Sequence, residues 1–292
     1  MTKLAVAVGV AGALIAGAAM GADLPYRKEA LPAPPPPPAF TWTGLYGGIN
    51  IGYGFGNGDQ DTGGLVGNFT HVSPSGAGLA GWSLTNNIQG VLGGGQVGYN
   101  YQINPWLVVG LEADIQAADL HTQTQGASAT GPAPASVYLT QTKSVDWFGT
   151  LRGRIGVTPL IPNLLIFGSI GFAYGQVVHD FTVTAFGAPT GFPAVLGTGT
   201  VYDATNTGWT AGGGVEWFPL ISHPVLSTFS VKVEYLYTDL GPNSINGGSY
   251  WATAPGSLFA FDHTSQTRFH TVRAGLNWHF NPFAPAPVVA KY

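Results

Sequence analysis

Nine charged side chains lie in apolar stretches of the sequence, at positions that alternate with the hydrophobic residues. Residues two apart along a strand share a face, so these charges lie on one side of segments whose other side is apolar. Adjacent segments carry opposite signs, and Glu112 lies at a depth similar to that of Arg152. In a soluble sandwich this face would be wetted, whereas in a barrel it points inward. The predicted lumen ionic network comprises Glu112, Asp114, Asp146, Arg152, Arg154, Glu216, Lys232, Glu234 and Arg273.

Four histidines in or near predicted outer loops are candidates for ligating haem iron, a common role of histidine. They are His71, His121, His179 and His263. No two of them have a ligand-like spacing, so solvated loop histidines are the simpler interpretation. The sequence contains no cysteine, which excludes disulfides and thiolate metal sites. We therefore expect no metal and no cofactor, with haem as the alternative.

Hydrolytic chemistry would need a nucleophile beside a general base. His270 and His279 lie in the last alternating segment, and Ser227 and Ser230 lie in or beside the segment before it. No serine flanks the histidines within their own segment, and the pair of serines is too ordinary to indicate a site. We expect a protein that is not an enzyme.

Eight segments with a period of two, typical of strands, position these side chains. They span residues 45–55, 91–101, 109–115, 145–157, 164–175, 209–217, 229–237 and 272–280. Short connections near 104–106, 159–163 and 219–225 alternate with long ones near 58–87, 119–140, 186–205 and 241–265. This alternation predicts an all-β fold, an eight-stranded antiparallel transmembrane β-barrel with short periplasmic turns and long outer loops.

Aromatic residues on the apolar face cluster near the two ends of the segments, as in the interfacial girdles of membrane barrels. The predicted outer girdle contains Phe55, Trp147, Trp209 and Tyr237, and the inner girdle contains Trp217, Trp278 and Phe280. Between residues 41 and 58 seven glycines interrupt the first segment. Because no helix follows and no GxGxxG or GxxxxGK motif is present, a phosphate-binding loop is excluded. The inward glycines are expected to make room for long side chains from across a narrow lumen.

Composition supports an envelope location. Of 292 residues only 8% are charged, the net charge is −4, and no basic patch suggests nucleic acid. Residues 1–22 have the layout of a signal peptide, with an uncleaved membrane anchor as the alternative. Residues 23–41 form a proline-rich periplasmic segment, 42–280 the barrel and 281–292 a C-terminal tail.

Six motifs in order resemble the alphaproteobacterial outer-membrane immunogenic proteins, which are filed as porin-family or OmpA-like β-barrel proteins. The motifs are TWTGLYGGINIGYGFG, FGTLRGRIGV, GFAYG, GWTAGGGVEW, VKVEYLYTDLG and TVRAGLNWHFN. The resemblance implies a surface-exposed barrel in the outer membrane of a Gram-negative bacterium, in contact with outer-membrane lipid and lipopolysaccharide. It also implies an assembly signal, read by the barrel-assembly machinery, at Arg273, Gly275, Trp278 and Phe280. Tyr292 is a second terminal aromatic residue that this machinery could read.

Three functions remain open from the sequence. The first is a structural barrel and surface antigen that supports envelope integrity, its lumen plugged by the ionic network. The second is a narrow pore for small solutes, although eight strands leave little lumen. The third is a surface receptor for haem, or an adhesin, that acts through the outer loops. The oligomeric state does not follow from the sequence.

Overall fold

Ten β-strands and one turn of 3₁₀ helix form the described part of the computed structural model, which comprises residues 40–68, 78–130, 136–186, 200–219, 226–250 and 258–280. The predicted signal peptide, all but the last two residues of the proline-rich segment, and the C-terminal tail lie outside these ranges. No helix within them is long and apolar enough to span a bilayer. The strands are β1 (Gly44–Gly56), β2 (Asp59–Asn68), β3 (Gly78–Asn86), β4 (Gln89–Asn104), β5 (Leu107–Thr130), β6 (Ser136–Val157), β7 (Leu164–Phe186), β8 (Thr200–Trp217), β9 (Phe229–Tyr250) and β10 (Leu258–Phe280).

Eight strands form a closed antiparallel ring in the order β1, β4, β5, β6, β7, β8, β9, β10 and back to β1. The closing pair runs from Leu45 opposite Phe280 to Gly56 opposite Phe269. Closure gives every strand of the ring two hydrogen-bonded neighbours, the arrangement that allows a sheet to cross hydrocarbon. The predicted eight-stranded antiparallel barrel is confirmed. The short turns between β4 and β5 and between β6 and β7 define its inner end, and the opposite end is the outer end.

The strands continue well beyond the bilayer. About 9–11 residues cross the hydrocarbon, whereas β5, β6, β7, β9 and β10 have 22 to 24 residues each. The first long connection contains a hairpin of β2 and β3, and β2 pairs with the outer half of β10. The segments predicted as long outer loops are thus largely strand in their described parts. A polar hairpin outside the membrane needs no apolar face, so its sequence lacks the alternation that identifies a strand.

The two faces of the ring have opposite character. Ile49 and Ile51 on the outer face are 69% and 70% exposed, and Val97, Leu111 and Ile170 on other strands of the ring are exposed too. Inward positions carry polar and charged side chains that are nearly all buried. A soluble protein has apolar residues inside and polar residues outside, and this ring has the reverse. The arrangement fits an outer face that meets lipid and a lumen filled by side chains.

All seven residues of the predicted girdles lie on the outer face, exposed or half-buried. At the inner end Trp217 is paired with Leu164, and Phe280 is paired with Leu45. Toward the outer end Trp209 and Tyr237 are in contact, with ring centroids 5.2 Å apart. The residues between the girdles are 45–55 in β1, 209–217 in β8 and 270–280 in β10, lengths that match a bilayer crossing of about 9–11 residues.

Glycine in β1 leaves room for long side chains from the neighbouring strand. A Cβ atom on the inward-facing Gly52 would clash with the backbone oxygen of Val272 and lie 2.9 Å from Cγ of Arg273, which β10 places directly opposite. A Cβ atom on the outward-facing Gly47 would meet nothing closer than a backbone oxygen at 3.9 Å. The glycine at position 52 therefore makes space for an arginine in the lumen.

Replacing Gly52 with alanine should lower the free energy of unfolding by about 1–3 kcal/mol, because the added methyl group overpacks the lumen against the Val272 carbonyl oxygen and Arg273. Gly47→Ala, on the same strand but facing outward, is the matched control and should change it little. Urea unfolding of the folded barrel in lipid vesicles measures both. Equal effects of the two substitutions would contradict a packing role for Gly52.

Candidate functional site

The lumen is filled in four layers, and the order of residues along β10 shows how they follow one another. From the outer end, β10 contributes His263, then Phe269, then Arg273. These belong to an outer polar cluster, a central apolar layer and the ionic network, and an inner apolar layer closes the inner end. The central apolar layer comprises Ile88, Leu92, Leu120, Val145, Phe148, Ala173, Val177, Leu240 and Phe269. The inner apolar layer comprises Trp42, Val108, Leu165, Phe167 and Phe218.

The ionic network joins four cations and four carboxylates, all at most 5% exposed. Its members are Glu112, Asp114, Arg152, Arg154, Glu216, Lys232, Glu234 and Arg273. Arg152 contacts Glu112, lies 2.8 Å from Asp114 and 3.0 Å from Glu234. The formal charges of the eight groups cancel, so the network is neutral as a whole.

Ion pairs of the network cross the lumen from wall to wall. Lys232 on β9 lies 2.9 Å from Glu112 on β5, and these two strands are four places apart in a ring of eight. Arg154 on β6 lies 2.7 Å from Glu216 on β8. Contacts this short between separate walls leave no open path between the paired groups.

The sequence predicts that Asp146 points into the lumen, and this prediction is wrong. The structure places the Asp146 side chain on the outer face, where it is exposed. The pairing of β6 shifts register between Val145 and Trp147, the mark of a β-bulge. A bulge inserts one residue and so exchanges the faces of the residues on one side of it. Val145, expected outside, is consequently buried in the central apolar layer. The other eight predicted members of the network lie together in the lumen.

Several network neighbours did not appear among the predicted site residues. The Tyr46 hydroxyl donates to Glu112 and accepts from Arg154 at 2.7 Å, and the Asn277 amide donates to Glu216 at 2.8 Å. Tyr46 is the one large side chain among the inward glycines of β1, which was the available signal. The central apolar layer had no such signal, because its residues fall where bulges or strand extensions break the alternation.

Ser230, His279 and Glu216 lie together at the inner side of the network. The Ser230 hydroxyl donates to Glu216 Oε1 at 2.6 Å, and His279 Nε2 lies 2.9 Å from that hydroxyl and 3.0 Å from the same carboxylate oxygen. A hydrolytic triad needs the carboxylate on the other imidazole nitrogen, so that the base is free to take the serine proton. Here both contacts use Nε2 and the serine proton is held by Glu216. The arrangement is that of a structural hydrogen-bond network.

The four haem candidates separate in the structure. His71 lies outside the described residues, and His121 is exposed with Asp119 3.3 Å away. His179 and His263 are both buried in the outer polar cluster, with ring centroids 5.2 Å apart. The cluster comprises Asp61, Trp82, Asn86, Gln141, Lys143, His179, His263 and Ser265. Asp61 lies in a segment predicted as a loop, and so did not appear among the candidate ligands.

The predicted assembly-signal residues occupy the inner half of β10. Arg273 and Gly275 point into the lumen, while Trp278 and Phe280 point outward at the inner girdle. Nothing in the described contacts tests which aromatic residue is read during assembly.

The chain is similar to known outer-membrane proteins. A family model described as an outer membrane protein beta-barrel domain matches residues 29–280. The 31 kDa outer-membrane immunogenic proteins of Brucella melitensis and Brucella suis are each 32% identical to the chain over 271 residues, covering 92% of this chain and 96% of theirs. Among solved structures, the outer membrane protein OprG of Pseudomonas aeruginosa is 12% identical, with a TM-score of 0.41, covering 82% of this chain and 97% of its own.

Replacing Asp114 with alanine should lower the free energy of unfolding by about 3–5 kcal/mol, since the guanidinium groups of Arg152 and Arg273 lose a buried counter-charge. Asp146→Ala is the matched control, because both carboxylates occupy predicted inward positions. It should stay within about 0.5 kcal/mol of the parent protein. Urea unfolding midpoints in vesicles give both values. A large loss in Asp146→Ala would contradict its outward position.

A fluorophosphonate probe for activated serines should leave Ser230 unmodified, because its hydroxyl is buried and hydrogen-bonded to Glu216. Mass spectrometry of the folded protein after incubation measures the labelling, and Ser230→Ala is the control. Stoichiometric labelling that disappears in Ser230→Ala would show an activated nucleophile.

Proposed function

Because this chain belongs to the outer membrane protein β-barrel family and lies in the outer membrane of a Gram-negative bacterium, we propose that it is a structural barrel with a plugged lumen. In this role it supports the integrity of the envelope and displays its outer hairpins at the cell surface. Its partners are then outer-membrane lipid and lipopolysaccharide around the girdles, and the barrel-assembly machinery during insertion.

The wall-to-wall ion pair of Lys232 and Glu112, 2.9 Å long, is the observation that carries this proposal. A diffusion channel needs a continuous wetted path, and large channels use about 16–18 strands to enclose one. In this ring of eight strands the ionic network occupies the cross-section, with apolar layers on both sides of it. We therefore favour a plug over the small-solute pore.

Surface display is supported by two observations. The strands of the outer half extend past the outer girdle, which raises the hairpins above the lipid. The Brucella relatives are named as outer-membrane immunogenic proteins, a name that fits a barrel displayed at the surface. We propose that the outer hairpins of this chain are likewise the antigenic part.

The haem-receptor alternative receives less support from the outer polar cluster. His263 stacks on Phe181 with ring centroids 4.1 Å apart, and His179 packs beside both rings. A porphyrin ligated by the two imidazoles would have to displace these rings. We propose that His179 and His263 do not hold haem.

Conductance in planar lipid bilayers tests the plugged lumen. The parent barrel should give no steady ohmic steps, because side chains fill every layer described. The matched control is a variant with Glu112→Ala, Lys232→Ala, Phe148→Ala and Phe269→Ala, which removes one wall-to-wall pair and the contact between two rings of the central apolar layer. The four substitutions leave the net charge unchanged and should raise the frequency of conducting events. Reproducible ohmic conductance of the parent barrel would favour the pore.

A further inference from the structure

Three side chains in the outer polar cluster bring metal-ligating atoms together. Asp61, His179 and His263 each offer one such atom, and these atoms lie within 4.8 Å of one another. All three residues are fully buried, with 0% of their surface exposed. They come from β2, β7 and β10, so the barrel fold and the pairing of β2 with β10 are both needed to assemble them. We propose that Asp61, His179 and His263 form a binding site for a divalent transition-metal ion, with Zn²⁺ the expected occupant.

Open ligand positions on the two imidazoles support this site. Among the residues that the structure describes, neither ring nitrogen of His179 has a hydrogen-bond partner and Nε2 of His263 has none, although both residues are fully buried. A buried polar atom without a partner is costly, and such atoms in native proteins often mark an ion or a functional role. A cation between these nitrogens and the carboxylate would satisfy them.

The protonation state of the histidines suits metal binding. Both lie beyond the residues between the girdles, and burial lowers the pKa of His179 to about 3 and the pKa of His263 to about 4. Imidazole must be neutral to ligate a metal. At neutral pH both rings are therefore neutral, and His263 binds a metal through Nε2 after its ring proton moves to Nδ1.

The spacing of the ligands requires only a small closure. His263 Nε2 lies 3.9 Å from Asp61 Oδ2. Metal–ligand bonds of about 2.0–2.2 Å in a tetrahedron place ligand atoms about 3.4 Å apart. Two imidazoles and one carboxylate form a donor set typical of zinc and its transition-metal neighbours, whereas Ca²⁺ and Mg²⁺ prefer oxygen ligands throughout. Three protein ligands leave one position of a tetrahedral ion to be filled by a further ligand.

Two neighbours of the site respond to the ion. The Trp82 indole donates to Nδ1 of His263 at 3.2 Å, so Nε2 carries the ring proton. When a metal binds Nε2, that proton moves to Nδ1 and the indole must turn away, which changes the environment of Trp82. Lys143 contacts the Ser265 hydroxyl at 2.8 Å, and its ammonium group opposes a second cation nearby.

Isothermal titration of the folded, chelator-treated barrel in detergent with Zn²⁺ tests the site. We expect one ion per chain, a change in tryptophan emission, and tetrahedral absorption bands when Co²⁺ replaces Zn²⁺. His179→Ala and His263→Ala should each weaken binding by about tenfold or more. His121→Ala, which removes an exposed histidine beside an aspartate, is the control and should leave the affinity unchanged. Absence of saturable binding to the parent barrel, or loss of binding only in His121→Ala, would overturn the proposal.

A second variant keeps the test decisive if the histidine variants fail to fold. Lys143→Met removes the opposing charge and leaves all three ligands in place, so Zn²⁺ should bind about tenfold tighter or more. Circular dichroism of each variant establishes that the barrel has folded. Unchanged or weaker binding by folded Lys143→Met would show that the ion does not bind beside Lys143, and the proposed site would be wrong.

Discussion

Charges can be placed inside a closed ring of eight strands only as a neutral group, because an unpaired ion there costs several kcal/mol. This chain meets the requirement with four cations and four carboxylates drawn from β5, β6, β8, β9 and β10. Except for Lys232 and Glu234, which share β9, the paired groups of the network lie on different strands, and several lie on opposite walls. The ion pairs thus tie the walls together, and removing Glu112 or Arg152 leaves several neighbours with an uncompensated charge.

The rest of the lumen is arranged around that network. Gly52 in β1 leaves room for Arg273, which lies opposite it in β10. A small residue on one strand thus faces a long side chain on the next. Apolar layers close the network off on both sides. On the inner side the Trp42 indole donates to the Pro162 carbonyl oxygen at 2.8 Å, which fastens the start of the barrel across its inner mouth. Exclusion of water strengthens each ion pair, and in the plugged barrel that we propose it also removes the path that a channel would need.

The outer half of the barrel needs no apolar outer face, because it lies above the lipid and its hairpins do not contact hydrocarbon. The β2–β3 hairpin takes part in the wall beside β10. That insertion carries Asp61 to the position where His179 and His263 already face each other. A polar, fully buried cluster thus forms outside the membrane, above an apolar layer that separates it from the ionic network.

The sequence by itself determined the barrel and the eight strands of its ring, because a two-residue period and a lipid-facing surface leave a local signal in every strand of that ring. It also indicated eight of the network residues, since charges on an otherwise apolar strand have few other places to lie. Only the tertiary structure decided that Asp146 points outward, since a bulge shifts faces without a clear sequence mark. It also decided which charges pair across the lumen, and that Asp61, His179 and His263 meet. Those contacts join residues far apart in the chain, and their distances depend on closure of the ring.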